Sequence, residues 1–130
     1  MPNCHFIFNS TISPQAITDL REAVGWDRLD WYYPAAFSGY WGTVSGFDDT
    51  GKLVAWCAII SDGLLHAMLI DVIVHPTCQR QGIGQALVQN AIEFLQQHRI
   101  SIIHVDFLPE HQAFYERCGF QPSQAGIIEG

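Results

Sequence analysis

The sequence predicts an α+β (mixed α/β) fold in which a central sheet carries helices on its faces. Two observations lead to this fold class: the apolar pattern between Trp41 and His75 describes a three-stranded antiparallel meander, and an amphipathic helix, a further strand and a short helix follow it. The chain has 130 residues, of which 48 % are apolar and 15 % charged. That size and composition predict one globular domain over residues 1–130.

The elements before the meander are a strand, a helix and an aromatic segment. The strand is expected near Cys4 to Asn9, and the helix that follows has both ends marked: Ser13 can cap it, Pro14 suits its first turn and Gly25 can stop it. The segment 26–40, "WDRLDWYYPAAFSGY", reads as a short helix plus a loop. It either closes the core or lines a substrate pocket.

The remaining elements follow from changes of hydrophobic period. The strands of the meander are "WGTVSGF", "LVAWCAII" and "LLHAMLIDVIVH", joined by turns at "DDTGK" and "DG". A helix is expected from Gly82 onward, because one face of it carries a stripe at helical spacing: Gly84, Leu87, Val88, Ala91, Ile92 and Leu95. "ISIIHVDFL" is the next strand and "EHQAFYERCGF" a short helix, and the tail "QPSQAGIIEG" has room for one last strand.

Charge and cysteine spacing exclude several classes of protein. Six Lys and Arg against thirteen Asp and Glu give a net charge of −7, which opposes binding to nucleic acid or to an anionic membrane and suits a cationic partner. The four cysteines form no CxxC pair and no zinc-like spacing, so we expect free thiols and no metal. There is neither a signal-peptide pattern nor a membrane-spanning run, which predicts a cytoplasmic protein.

The stretch "QRQGIGQAL" joins an apolar strand to the clearest helix and predicts an anion site. It is not a Walker loop, since no lysine follows the glycines, and it lacks the third glycine of a dinucleotide fingerprint at Leu87. Gly82 and Gly84 lack side chains, so the backbone from Gln79 to Gly84 can close around a pyrophosphate at the positive end of the helix dipole.

The Gln-x-x-Gly-x-Gly turn after "VIVHP", together with "AFYERCGF" about thirty residues later, resembles the GNAT family of acetyl-CoA-dependent N-acetyltransferases. The resemblance covers about residues 40–121, and "IDVIVHPTCQRQGIGQALV" also looks like the branch with plant-type serotonin and arylalkylamine acetyltransferases. It implies the GNAT-like acyl-CoA N-acyltransferase fold, whose mostly antiparallel sheet contains a splayed pair of parallel strands. The anion would then be the diphosphate of coenzyme A.

The resemblance also implies which residues hold acetyl-CoA. The expected coenzyme contacts are Ile73, Val74, Gln79, Arg80, Gln81, Gly82, Ile83, Gly84 and Tyr115. Ile73 and Val74 would offer unpaired backbone groups to the pantetheine arm, and the Val74 N–H would polarise the thioester carbonyl. The side chains of Ile73 and Val74 are equally explained as core, and Arg80 as a solvated surface residue.

By the same resemblance, Tyr115 is the general acid toward the leaving thiolate; otherwise it is a ring that closes the core beside Phe114 and Phe120. Asp71 interrupts the apolar run "MLIDVIV" and either binds the acceptor ammonium and passes on its proton, or pairs with a backbone N–H or an arginine. Secondary candidates for the base are His66, His104 and His111. An aromatic wall for the acceptor would consist of Trp31, Tyr32, Tyr33 and Phe37.

The sequence therefore predicts transfer of acetyl from acetyl-CoA to a primary amine of a small molecule, by direct attack in a ternary complex. The alternatives are a non-catalytic acyl-CoA-binding module and an enzyme acting on a protein or peptide amine. "LPEHQAFY" lacks the Asn that many relatives carry before the helix of the tyrosine, so the coenzyme contact expected from this segment is left to Tyr115 alone. A short or missing final strand would leave a sheet edge open, which predicts a homodimer.

Overall fold

A computed structural model describes residues 3–130 and contains one five-stranded sheet with the strands in the order β1-β2-β3-β4-β5. The strands are β1 (His5–Phe8), β2 (Gly42–Phe47), β3 (Leu53–Ser61), β4 (His66–Val74) and β5 (Ile102–Val105). The helices are α1 (Pro14–Ala23), α2 (Tyr33–Ala36), α3 (Ile83–Gln97) and α4 (Gln112–Arg117). Strands β1 to β4 pair antiparallel, and β5 runs parallel to β4. The predicted α+β class is confirmed.

One face of the sheet is covered by α1 and α2. The Ser13 hydroxyl accepts a hydrogen bond from the Ala16 N–H at 3.2 Å, which caps α1 as its sequence predicts. Ile17 and Leu20 of α1 are buried with Tyr33 of α2 and with residues of β3 and β4. This layer forms the smaller of two apolar clusters.

The opposite face is covered by α3. Its buried stripe contains Leu87, Val88, Ala91 and Leu95, the residues that the helical period predicts. They pack against Val44, Ala55 and Cys57 of the sheet. Because α3 lies across β2, β3 and β4, its N-terminus is held beside the C-terminal end of β4.

Strand β4 contains a β-bulge at Asp71. Trp56 pairs with Ile73 and Ala58 with Ile70, so that Asp71 and Val72 together stand opposite Cys57. Asp71 has a φ of 53°, in the left-handed region. The extra residue resets the alternation of side chains, and Ile70, Asp71 and Ile73 all face α1 and α2.

Beyond the first half of β4 the two parallel strands separate. Their pairing runs from His66 with Ile102 to Leu69 with Val105, whereas β4 continues to Val74. The residues of β4 from 70 to 74 therefore have no strand partner on the β5 side among the described residues. This gap confirms the splayed parallel pair.

Two details of the C-terminal part differ from the sequence prediction. The strand expected over "ISIIHVDFL" ends at Val105, because the chain then turns toward Pro109 and a 3₁₀ turn at Pro109–His111. The last strand expected in "QPSQAGIIEG" is wrong: residues 121–130 contain no regular element. Pro122 and Gly126 interrupt any alternation there. Within the described part of the chain, β5 is thus paired on one side only.

Candidate active site

The glycine turn connects β4 to α3 through two residues in the left-handed region. Arg80 has a φ of 63° and Gly82 a φ of 81°, and α3 starts directly after Gly82. The two glutamines fix the turn internally: the Gln79 side-chain amide donates to the Val74 carbonyl at 3.0 Å, and that of Gln81 to the Thr77 carbonyl at 3.1 Å. Both side chains are therefore engaged with the protein, and the Arg80 side chain is exposed.

The two glycines of the turn serve different purposes. A Cβ added at Gly82 would meet no atom within 4 Å, so glycine is favoured there by its positive φ and not by lack of room. A Cβ added at Gly84 would lie 3.3 Å from the Phe114 ring and 3.5 Å from Val74 Cγ2. Gly84 thus allows α4 to pack closely on α3.

The start of α3 presents backbone N–H groups to the same open space. The first helical bond joins the Ala86 N–H to the Gly82 carbonyl at 3.0 Å, so the preceding N–H groups of the helix have no partner within it. The Ile83 side chain is buried, which leaves only its backbone to face a ligand. A left-handed glycine, open space and a helix N-terminus fit a phosphate group.

The open edge of β4 leads away from this turn. The His75 N–H donates to the Val54 carbonyl of β3 at 2.7 Å. Because successive residues of an extended chain direct their N–H groups to opposite sides, the Val74 N–H points to the side from which β5 has departed. The Ile73 side chain is buried against α1 and α2, and that of Val74 is half-buried on the α3 side. An amide-rich chain fits along this edge.

Tyr115 of α4 lies in an aromatic cluster near the gap. Its ring stacks on Phe107 with 5.1 Å between centroids and meets Phe114 and Phe120 edge-on at 4.9 and 5.8 Å. Burial, followed by the nearby Cys118 and Cys57, raises the pKa of Tyr115 to about 12. The phenol therefore keeps its proton at neutral pH.

Asp71 is held by two groups from the helical face. Its carboxylate accepts a hydrogen bond from the Tyr33 hydroxyl at 2.6 Å, and Arg21 Nη1 lies 3.5 Å from the other oxygen. Arg21 also donates to the Tyr33 oxygen at 3.1 Å. Burial, and then the Asp71 hydrogen bond, raises the pKa of Tyr33 above its usual value. Asp71 is thus paired with an arginine, which is one of the two arrangements that its sequence context allows.

The aromatic segment divides between core and surface. Tyr33 is fully buried and packs edge-on against Trp56 with 5.7 Å between centroids. Tyr32 and Phe37 are half-buried, and Trp31 is 75 % exposed. Of the four residues predicted as an aromatic wall, Tyr33 alone belongs wholly to the core.

A groove of about 720 Å³ lies between β4, β5 and the chain after α4; we call it the β4–β5 groove. Its lining includes His66, His104, Phe107 and residues 120–123 and 125–127, but none of the residues predicted to bind the coenzyme. His104 Nε2 is 3.5 Å from His66 Nδ1, and the two rings are stacked. Asp62 and Asp106 also line the groove, and sequence reasoning named neither as a site residue. The "DG" pattern marks Asp62 only as a turn residue.

Two further properties bear on the kind of site. No group of three or more His, Cys, Asp or Glu that could hold a metal ion occurs in the part of the chain that the structure describes. No helix over residues 3–130 is long and apolar enough to cross a bilayer.

Comparison with known proteins identifies the family. The family model for acetyltransferases, described as the GNAT family, matches residues 8–120. The chain belongs to the GNAT acetyltransferase family. The match begins further toward the N-terminus than the resemblance seen in the sequence.

Relatives of this GNAT chain include algal and plant proteins. An uncharacterized N-acetyltransferase, ycf52, of Gracilaria tenuistipitata var. liui is 29 % identical over 129 residues, which are 96 % of this chain and 71 % of that protein. A chloroplastic serotonin N-acetyltransferase 2 of Oryza sativa subsp. japonica is 31 % identical over 80 residues, 62 % of this chain and 40 % of the rice protein. The chain thus spans less than half of the rice relative.

Solved structures share the fold. A GNAT family acetyltransferase from Streptococcus pneumoniae superposes with a TM-score of 0.76 at 23 % identity, covering 97 % of this chain and 96 % of its own. A GNAT family N-acetyltransferase (YhbS) from Escherichia coli, solved in complex with CoA, gives a TM-score of 0.77 at 18 % identity over 93 % of this chain and 70 % of its own. At these identities the likeness concerns the fold.

Proposed function

We propose that this GNAT protein transfers acetyl from acetyl-CoA to a primary amine of a small molecule, by direct attack in a ternary complex. The observation that carries the proposal is the continuity between the open edge of β4 and the glycine turn. The unpaired residues 70–74 of β4 lead directly to a turn whose left-handed Gly82 stands before the N-terminus of α3.

The coenzyme is proposed to lie along this continuous surface. The backbone from Gln79 to Gly84 would hold the pyrophosphate, with the exposed Arg80 side chain as a charged contact and the glutamine side chains keeping the turn in shape. The Val74 N–H would hydrogen-bond the thioester carbonyl, where negative charge develops. When bound, acetyl-CoA supplies the acetyl group and a thiol leaving group.

Tyr115 is proposed as the acid that protonates the departing thiolate. Burial raises its pKa to about 12, so its hydroxyl carries a proton over the whole neutral range. Phe107 and Phe114 fix the direction of the ring.

The acceptor is proposed to approach from the face that carries α1 and α2. The acceptor-side residues of this proposal are Asp71, Trp31, Tyr32 and Phe37. Tyr33, which was predicted with them, is fully buried and would act only through its hydrogen bond to Asp71. Because Asp71 already binds Tyr33 and Arg21, an ammonium group there would share the carboxylate with the guanidinium. Asp71 as a catalytic group remains a prediction, and its test is given in the Discussion.

Thiol release from acetyl-CoA over a panel of small amines and one peptide amine tests the proposed activity. We expect turnover by the native protein and a loss of about 100-fold in kcat for Tyr115→Phe, since general acids contribute about that much or more. Coenzyme affinity, measured by calorimetry, should be retained in the variant because the pyrophosphate contacts are untouched.

Tyr40→Phe is the matched control for this experiment. The Tyr40 hydroxyl is buried and has no hydrogen-bond partner among the described residues, so its removal should leave kcat within about twofold. Coenzyme binding without turnover on any amine would contradict the proposal and indicate a non-catalytic acyl-CoA-binding module. Turnover on the peptide alone would indicate an enzyme that acts on protein amines.

We further propose that the protein forms a homodimer through the free edge of β5. The described part of the chain offers β5 no second partner, and Ile102 on that strand is 41 % exposed.

The location proposed for the reaction is the cytoplasm. The rice and Arabidopsis thaliana relatives are chloroplastic proteins by name.

A further inference from the structure

We propose that a cavity beside the β1–α1 loop is a second binding site, and that it takes a small uncharged compound with one ring and a hydrogen-bonding oxygen. The cavity has a volume of about 250 Å³ and shares no lining residue with the β4–β5 groove. We call it the Trp56 cavity, after one of the residues that line it.

Two of the residues that line the Trp56 cavity carry buried polar atoms without a partner. Ser10 Oγ and Trp56 Nε1 have no hydrogen-bond partner among the described residues, and Trp56 is fully buried. An indole N–H can only donate, and a buried donor without an acceptor is costly. Because both side chains border the cavity, an oxygen atom bound there can accept from the indole and share a hydrogen bond with the serine hydroxyl.

The cavity lies on the face of the sheet that carries α1 and α2. Ser45 pairs with Trp56 across β2 and β3, and Trp56 is buried in the apolar cluster that includes residues of both helices. Side chains alternate along β2, so Thr43, two residues before Ser45, lies on the same face. Ser10 and Ile12 of the β1–α1 loop border the same space. Segments that are distant in the sequence therefore build one cavity.

The walls of the cavity suit a flat apolar ring. Phe37 and Tyr40 line it and surround the Trp56 ring, with centroids 6.4 and 6.0 Å from that of the indole. Ile12 adds aliphatic surface. Burial, and then the nearby Tyr32, raises the pKa of the Tyr40 hydroxyl, which places that hydroxyl toward Tyr32. Only the Tyr40 ring is therefore assigned to the cavity.

The volume of the cavity sets the size of its ligand. Benzene occupies a protein cavity of about 150 Å³. The Trp56 cavity, at about 250 Å³, therefore has room for one six-membered ring with an oxygen substituent. A hydroxyl on the ring provides both the acceptor for the indole N–H and a partner for the serine.

The polarity of the cavity excludes an ionic ligand. None of the described residues that line it is Asp, Glu, Lys, Arg or His. The Asn9 side-chain oxygen at its border already accepts a hydrogen bond from the Thr43 N–H at 2.9 Å. An ammonium or carboxylate group would lose its water there without gaining a counter-ion. The ligand is thus uncharged and differs from the ammonium acceptor proposed above.

The Trp56 cavity is distinct from the proposed reaction centre. Its lining includes none of the residues proposed to bind the coenzyme, and of the acceptor-side residues it includes Phe37 alone. The Trp56 ring meets Tyr33 edge-on at 5.7 Å, and the Tyr33 hydroxyl binds Asp71. The contact from the cavity to Asp71 thus runs through two aromatic side chains. The inference does not depend on the proposed acetyl transfer.

NMR of the indole N–H groups of the native protein tests the inference, with phenol as the probe. The chain has four tryptophans, so Trp26→Phe, Trp31→Phe and Trp41→Phe assign three signals and leave the fourth to Trp56. Millimolar phenol should shift the Trp56 signal, because its oxygen accepts that N–H. Benzene has the same ring without the oxygen and should bind about tenfold more weakly. Benzoate and benzylammonium should also bind at least about tenfold more weakly than phenol.

Ser10→Ala and Ser45→Ala form a matched pair of variants. Both hydroxyls are buried and have no partner among the described residues, but only Ser10 lines the cavity. Ser10→Ala should weaken phenol binding about fivefold and leave benzene binding unchanged, since it removes one hydrogen bond to the oxygen. Ser45→Ala should keep the native affinity for both compounds.

Three results would overturn the inference. If phenol does not shift the Trp56 signal, ordered water alone serves the unpartnered groups. If benzylammonium binds as tightly as phenol, the site is not one for uncharged compounds. If the two serine variants affect phenol equally, the oxygen does not bind beside Ser10. These measurements need neither coenzyme nor turnover, so none of the three results bears on the proposed function.

Discussion

At the scale of single residues, Asp71 joins the bulge of β4 to the helical layer. Its side chain is 24 % exposed, and that of its partner Arg21 is 11 % exposed, so the ion pair is largely shielded from water. The Tyr33 hydroxyl completes the cluster from the buried side. Removing the charge of Asp71 would leave the Arg21 guanidinium without a counter-ion in a partly desolvated position.

We therefore predict that Asp71→Asn lowers the free energy of unfolding by about 2 kcal/mol in urea denaturation, the range of a hydrogen bond to a charged group. Asp30→Asn is the control, because Asp30 pairs with Arg28 while 68 % exposed, and its loss should cost at most about 0.5 kcal/mol. Equal stability of the two variants would contradict the prediction. If Asp71 itself were the base, Asp71→Asn would also flatten the pH profile of kcat/KM.

At the scale of elements, the start of α3 depends on one backbone conformation. Gly82 has a φ of 81°, and Gly51 in the β2–β3 turn has a φ of 84°. In neither case would an added Cβ meet an atom within 4 Å. An alanine at either position therefore carries the same conformational cost of about 1 kcal/mol without a steric clash.

This pair gives a matched test of the glycine turn. Gly82→Ala and Gly51→Ala should lower the free energy of unfolding by similar amounts. Only Gly82→Ala should weaken the binding of coenzyme A, by at least about tenfold in calorimetry, because it tilts the N–H groups at the start of α3 and adds a methyl group to the open space. Equal coenzyme affinities in the two variants would show that the turn does not hold the coenzyme.

At the scale of the whole molecule, the sheet has two edges, β1 and β5. On β5, Ile102 is 41 % exposed, and on β1, Ile7 is 48 % exposed. The two strands therefore offer similar isoleucines at opposite ends of one sheet. The strand that was expected to cover β5 is absent from residues 121–130, so the homodimer that we propose would form its contact at that edge.

Light scattering at micromolar protein should give twice the monomer mass. Ile102→Lys should shift the protein to the monomer, since a lysine on an edge strand opposes strand pairing, whereas Ile7→Lys should leave the dimer intact. A native monomer at these concentrations would refute the homodimer. Dissociation by Ile7→Lys alone would assign the contact to β1 instead.

Local sequence patterns were sufficient to predict most of the helices and strands. Ser13 and Pro14 mark the start of α1, and the stripe from Leu87 to Leu95 marks the buried face of α3; both signals act over one or two turns and need no distant partner. The tail was misjudged because Pro122 and Gly126 interrupt its alternation, so its apolar pair, Ile127 and Ile128, stays exposed and forms no ladder with the free edge of β5.

The sequence by itself determined the family and the order of the elements as far as α4, and it predicts an anion site at the glycine turn, because these depend on residues that are neighbours along the chain. Only the tertiary structure shows that Asp71 pairs with Arg21 and Tyr33, that the Phe114 ring packs on Gly84 and that the His66 and His104 rings lie side by side. Each of these contacts joins segments more than twenty residues apart. Their geometry depends on strand register, on the bulge and on helix packing, which no local period encodes.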